Sequence, residues 1–296
     1  MPSLSHRIKL RAPAKVNLAL ALLGELPDGY HRVETVLQTV SLWDEIALQP
    51  RRQGIALVCD EPTVPADESN LCYRAAALLL KESSTTSRRV GVAITLCKNI
   101  PAQAGLGGGS SDGAATLVGL NRLWGLRLTR RELAGIAAEL GADVPFFLYG
   151  GSAIGTGRGD RIERLGPGPV MHLVLARTGQ GVSTSWAYAR WLTGARKHGS
   201  GAMLRALAAG SPQAIAAALR NDLEPGVLAQ RRDIADLKAR VLAQGALGAL
   251  MAGSGSAVFG VFADHKCAQE AAARMSKNGV WARVVRTIGS GASFAR

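Results

Sequence analysis

The chain has 296 residues, 47% hydrophobic and 19% charged, which excludes a largely disordered polymer and leaves length enough for two domains. Thirty-five Lys plus Arg against 22 Asp plus Glu give a formal charge of +13; this suits anionic ligands, but the basic residues are scattered pairs such as Arg51-Arg52 and Arg130-Arg131 rather than a dense tract, so a solvated surface is favoured over nucleic-acid binding. No apolar run reaches the roughly 18 residues that span a bilayer, residues 1–15 lack a secretory apolar stretch, and Cys59, Cys72, Cys97 and Cys267 have no metal or CxxC spacing, so a cytoplasmic, reducing location without membrane contact is expected.

Residues 8–23 are extended in character, with Val16, Leu18, Leu20 and Leu22 on one face, and stop at Gly24 and the turn-like stretch 26–30. Residues 33–48 continue the pattern, which predicts a hairpin, and 54–59 and 90–96 read as further strands. Between these two lies a helix over 70–81, with Ser69 or Asn70 as N-cap. The strand at 90–96 runs through Lys98 and Ile100 into the glycine-rich stretch 101–115, PAQAGLGGGSSDGAA, and then an apolar helix over 111–124. Thr129 with Glu132 three residues on predicts a capping box opening a helix over 129–140. Residues 141–160 read as loop, apolar segment and second glycine cluster, and the composition shift there places a domain boundary between 1–160 and 161–296. A strand at 170–176, helices over 185–192, 202–209, 212–219 and 232–244, a glycine turn feeding a strand within 251–262, a helix over 266–277 and a last strand at 281–287 complete the reading.

The stretch from Leu96 to Trp124 is thus strand, glycine loop and helix. Such a loop exposes consecutive backbone N–H groups, and the helix N-terminus adds a favourable dipole, so the pair binds phosphate without a side-chain cation. No Gly-Lys-Ser/Thr follows, so this is not a Walker A loop, and Ser110 stands where a Rossmann fingerprint has its third glycine. A flexible linker would not be wedged between a strand and an apolar helix.

PAQAGLGGGSSDGAA resembles the phosphate-binding motif of the GHMP kinase superfamily, which includes galactokinase, homoserine kinase and mevalonate kinase. APAKVNLAL at 12–20 looks like its amino-terminal motif and MAGSGSAVFG at 251–260 like its carboxy-terminal glycine motif. Within the superfamily, AKVNLAL, LPDGYHRVETV, GLGGGSSD, GADVPFF and NDLEP look like the 4-diphosphocytidyl-2-C-methyl-D-erythritol kinase family, over nearly the whole chain. The resemblance implies an α+β fold, a ribosomal protein S5-like amino-terminal domain and a ferredoxin-like carboxy-terminal one. It also implies transfer of the ATP γ-phosphate to a small-molecule acceptor in the cleft between them.

The resemblance further implies roles. Asp143 matches the catalytic aspartate, though a cap on the turn before Pro145 would be an ordinary alternative. Lys15 matches the motif lysine that stabilises phosphoryl charge or holds Asp143 ionised, against a strand-edge lysine reaching solvent. Asn17, two residues on, faces the same side of a strand. Tyr30 and His31, in the turn from Asp28, correspond to a stacking and a base-reading group for cytosine, with Thr184 and Tyr188 as weaker members of that pocket. For ATP the matching positions are Pro101, Gly105, Leu106, Gly107, Gly108, Gly109, Ser110 and Ser111, with Asn70 and Lys98 at the nucleotide site and Gly253, Ser254 and Gly255 approaching it. Mg²⁺ is expected, without a named protein ligand, and the chain is expected to be a monomer or weak homodimer that binds no nucleic acid. Departures from the family pattern are Gln103, Gly113 and Ala252. Another superfamily acceptor (homoserine, mevalonate or a sugar) and a nucleic-acid-binding protein are the alternatives; the first lacks a reason for Tyr30 and His31.

Overall fold

In a computed structural model, which describes residues 7–27, 29–82, 91–191 and 199–295, the amino-terminal hairpin pairs β1 (Ile8–Glu25) antiparallel with β2 (His31–Arg51). β1 begins by alternating, with Ile8 and Leu10 buried and Lys9 and Arg11 exposed, and is then buried on both faces from Ala12 to Leu22. That change explains its near-continuous apolar run: the far end of the strand is covered on both sides. Asp28 of the turn, Val90 at the expected start of a strand and Leu192 at the expected end of a helix lie outside the described residues.

β3 (Gly54–Cys59), α1 (Leu71–Glu82) and β4 (Gly91–Cys97) follow, and β3 pairs parallel with β4. α2 (Gly108–Leu123) then lies on the sheet, with Ala114, Ala115, Leu117 and Leu120 fully buried. It starts three residues before the sequence suggests, because Gly107 takes up a left-handed conformation at φ 72° and opens the helix there. α3 (Arg130–Leu140) carries the predicted capping box between Thr129 and Glu132. The apolar segment, given no element type from sequence, is α4 (Val144–Tyr149), with Pro145 in its first turn and Phe146 edge-on to Phe147 at 5.2 Å. Six residues are too few for a helical period to show. β5 (Ser152–Thr156) and β6 (Arg161–Arg164), where the second glycine cluster lies, form a hairpin on β2.

The carboxy-terminal half supplies β7 (His172–Arg177), α5 (Thr184–Tyr188), α6 (Gly201–Ala209), α7 (Pro212–Ala217), β8 (Arg220–Asn221), α8 (Glu224–Leu228), α9 (Arg232–Ala243), β9 (Gly248–Met251), β10 (Val258–Phe262), α10 (His265–Lys277), β11 (Trp281–Arg286) and β12 (Ser293–Phe294). α5 is shorter than the helix expected over 185–192 and stops at Tyr188. Four strands form an antiparallel sheet in the order β11-β7-β10-β9, with α10 between β10 and β11. That is the ferredoxin-like arrangement the resemblance implies. The other sheet runs β12-β1-β2-β4-β3, with β5 and β6 branching from β2 and β8 beside β1, so the overall class is α+β, as expected.

Three apolar clusters hold this together. The first lies between the larger sheet and α1 to α4, including Leu48, Leu79, Ile94, Leu117 and Phe146. The second joins the sheets, with Val16 and Leu18 of β1 against Leu173, Leu175 and Phe259, and the third packs α9 and α10 on the smaller sheet through Leu237, Val241, Ala271 and Met275. Burial of such side chains contributes about 1.5–3 kcal/mol each, which is what makes the junction beside β1 firm enough to carry a site.

Candidate active site

β1 is irregular where chemistry is expected. Register shifts fall between Pro13 and Ala14 and between Asn17 and Ala19, on either side of Lys15 and Asn17. Bulges re-aim side chains, and both residues turn into a cleft of about 690 Å³ while remaining only 4% exposed. Lys15 Nζ donates to Asn17 Oδ1 at 2.6 Å, and Asn17 Nδ2 donates to Thr35 Oγ1 at 2.9 Å. The strand-edge alternative for Lys15 does not hold: the ammonium is enclosed and tethered.

The three motifs that are remote in sequence meet here. The Lys15 amide donates to Leu106 O at 2.9 Å, and the Ala257 amide donates to Ala104 O at 3.1 Å, tying the glycine loop to β1 on one side and to the carboxy-terminal glycine turn on the other. A Cβ on Gly107 would lie 2.7 Å from Phe147 Cζ and 3.0 Å from Lys15 Cγ, so glycine is demanded by close approach as well as by its φ of 72°. Gly107 has no side chain to cap α2. The amides of Gly108, Gly109 and Ser110, in the first turn, therefore face the cleft without a helical partner, the arrangement that receives anionic oxygen.

Asp143 stands at the N-cap of α4, yet its side chain makes no cap hydrogen bond. Its Oδ2 instead lies 3.5 Å from Lys15 Nζ, and the carboxylate is 36% exposed, toward the cleft. Pro101, Gly105, Leu106, Thr184, Gly253 and Ser254 line the same cleft, with Thr184 Oγ1 3.5 Å from Ser254 Oγ. Asn70 and Lys98 also line it, but their side chains hold the protein: Asn70 caps the Cys72 amide at 2.9 Å and donates to Pro65 O at 2.6 Å. Ser111 is turned away, fully buried, with its amide already donating to Gly107 O at 2.9 Å.

At the other end of the cleft, Tyr188 is buried enough that its phenol is pushed up to about 12, with the nearby Asp143 charge adding to the effect. The His31 ring sits 5.2 Å from Tyr188 and 5.4 Å, edge-on, from Trp191. Tyr30 is 59% exposed, with the Arg158 guanidinium 4.4 Å over its ring. Neither Tyr30 nor His31 lines the main cavity, but each touches a residue that does, His31 the ring of Tyr188 and Tyr30 the guanidinium of Arg158. Trp191 and Arg158 escaped the sequence reading, although an arginine between Gly157 and Gly159 is a turn-tip signal.

Sequence reasoning also missed a buried ionic cluster beneath the loop. Lys98 Nζ donates to Asp112 Oδ2 at 2.7 Å and to Asp44 Oδ2. Burial works against the Lys98 ammonium, but the two carboxylates overcome it and raise its pKa, so it stays charged. Asp44 within the apolar run of β2 was the available sequence signal.

The GHMP kinase N-terminal domain model matches residues 70–151 and the GHMP kinase C-terminal model residues 203–280. A 4-diphosphocytidyl-2-C-methyl-D-erythritol kinase of Synechococcus sp. (strain JA-3-3Ab) is 47% identical over 272 residues, 88% of this chain and 87% of the relative. That of Pelotomaculum thermopropionicum is 44% identical over 280 residues, 94% of this chain and 96% of its own. A crystal structure of 4-(cytidine 5'-diphospho)-2C-methyl-D-erythritol kinase superposes with a TM-score of 0.80 at 35% identity, covering 96% of this chain and 100% of that one. By sequence, by domain content and by fold, the chain belongs to the GHMP kinases and, within them, to the 4-diphosphocytidyl-2-C-methyl-D-erythritol kinase family.

Proposed function

We propose that the chain transfers the γ-phosphoryl group of ATP to the 2-hydroxyl of 4-diphosphocytidyl-2-C-methyl-D-erythritol, giving the 2-phosphate and ADP, in non-mevalonate isoprenoid precursor biosynthesis. The observation that carries this reading is the Lys15–Asp143 ion pair lying in one cleft with the uncapped first turn of α2. The amides of Gly108, Gly109 and Ser110 hold the phosphates. Asp143 accepts the hydrogen bond of the acceptor hydroxyl and aligns its oxygen with the γ-phosphorus. Its proton leaves to the carboxylate as the new O–P bond forms and the bond to the ADP oxygen breaks. Phosphoryl transfer asks little of a base, so orientation is the larger part of this role. Lys15, held by Asn17, pairs with Asp143 and faces the charge on the transferring group.

Mg²⁺ enters with the nucleotide, as Mg-ATP. No group of three or more metal-binding side chains exists among the described residues, which fits a cation carried mainly by phosphate oxygens and water. The four cysteines are free, which supports a cytoplasmic setting, and among the described residues no helix is long and apolar enough to cross a membrane. We place the domain boundary near residue 160, assign the chain no nucleic-acid partner, and take it as a monomer or weak homodimer.

The rim of Tyr30, His31 and Tyr188 holds the cytosine, with Thr184 and Asn17 along the path to the hydroxyl. Stacking on an aromatic ring is worth about 1–3 kcal/mol per base. Tyr30→Ala is therefore expected to raise the acceptor KM about tenfold or more with the ATP KM unchanged, in steady-state assays varying each substrate in turn. An unchanged acceptor KM would remove Tyr30 from the pocket.

A further inference from the structure

Beneath the phosphate-binding turn, Asp44, Lys98 and Asp112 form a cluster that the transfer reaction does not use. Asp44 of β2 is fully buried and Asp112, just past the first turn of α2, is 2% exposed. The Lys98 ammonium between them lies 3.2 Å from where a Cβ on Gly108 would stand, directly under the loop. The two carboxylates differ. Asp44 Oδ2 accepts from Lys98, and its Oδ1 accepts from the amides of Asn99 at 2.6 Å and Ile100 at 2.8 Å. Asp112 has Lys98 on Oδ2, while Oδ1 is buried without a partner.

With both carboxylates ionised the cluster carries one net negative charge below a site for phosphates. With a proton on Asp112 it is neutral. The other titratable groups facing Asp112 are Cys72 from α1 and Cys59 from β3, and burial raises both thiols, so neither supplies charge near neutral pH.

We propose that Asp112 is a positioning residue for the nucleotide: its proton keeps the floor of the phosphate site neutral, and losing that proton weakens nucleotide binding. Burial first, and then the Asp44 carboxylate, push its pKa up to about 8 against the opposing pull of Lys98. Phosphates arriving above the cluster raise it further, so binding takes up a proton at pH values just above that point. Affinity then falls as pH rises, by at most about tenfold per pH unit. This rests on the assignment of the glycine loop as the nucleotide site.

The test is calorimetric titration of ADP into the full chain between about pH 7 and pH 9, in buffers of different ionisation enthalpy, where the last phosphate proton of ADP, with a pKa of about 6, is already gone. The wild-type chain is expected to take up a fraction of a proton and to lose about tenfold in affinity across that range. Asp112→Asn, which keeps the shape and removes the titration, is expected to bind ADP with no proton exchange and a flat pH profile. Wild-type binding without proton uptake overturns the proposal alone, and so does an Asp112→Asn variant that keeps the wild-type slope. Absence of ADP binding at about pH 7 overturns the nucleotide-site assignment and this proposal with it. Should Asp112→Asn fail to fold, the wild-type proton count decides by itself.

Discussion

Asp143→Asn is expected to lower kcat by about 10²–10⁴-fold while ADP affinity stays within a few-fold of wild type. The substitution keeps the side-chain volume and removes the carboxylate that pairs with Lys15 Nζ at 3.5 Å and that, on the proposed reading, accepts the acceptor hydroxyl. On the proposed reading the nucleotide rests on backbone amides of α2, which the change does not touch. Lys15→Met should lose kcat by about 10²-fold or more, because the cation facing the transferring phosphoryl group is gone. Its aliphatic stem still fills the space beside Gly107, so folding should survive. Both are checked by kcat and separate KM values for ATP and acceptor, with ADP binding measured by calorimetry. A variant keeping more than about a tenth of wild-type kcat would remove that residue from the chemistry.

Gly105→Ala is expected to cost roughly 2–5 kcal/mol of stability and to abolish measurable nucleotide binding. At φ 75° an L side chain is strained, and the added Cβ would overlap the carbonyl oxygen of Ala252 and press on the Gly255 amide at 3.0 Å. Both obstacles are backbone, so neither can rotate away. Relief requires the phosphate loop and the carboxy-terminal glycine turn to part, which breaks the junction made by the Ala257 amide and Ala104 O. Gly135→Ala is the matched control: it sits inside α3, where a Cβ meets nothing within 4 Å, and should stabilise the chain by about 0.5–1 kcal/mol through helix propensity. Urea unfolding of the two variants, with ADP titrations alongside, tests the contrast; equal stabilities would refute it.

How much of this was legible in the sequence depends on the length and locality of each feature. The β1–β2 hairpin shows itself because long runs of apolar residues on either side of a Gly-Pro-rich turn leave few alternatives. The capping box of α3 is legible because Thr129 and Glu132 are neighbours along the chain. α4 is not, since Val144 to Tyr149 is uniformly apolar and carries no period. β8 and β12 have two residues each and exist only through their pairing with β1. Such contacts have no local signature.

The site divides in the same way. The proposed phosphate site is encoded locally, in the glycines that place the first turn of α2, and that turn is readable from those residues alone. Lys15 and Asp143 are 128 positions apart by their numbers; nothing local joins them, and the family resemblance did. Lys98 is readable only as a nucleotide-site candidate, and its grouping with Asp44 and Asp112 is not readable at all, because the three lie far apart along the chain. Its meaning appears once burial removes water from all three.

The most direct test of the central claim is ADP release by the purified chain with Mg-ATP, measured with and without 4-diphosphocytidyl-2-C-methyl-D-erythritol. The account predicts turnover that depends on that acceptor and yields its 2-phosphate in equal amount to ADP. Folded protein that binds ATP yet releases no ADP when the acceptor is added would contradict it.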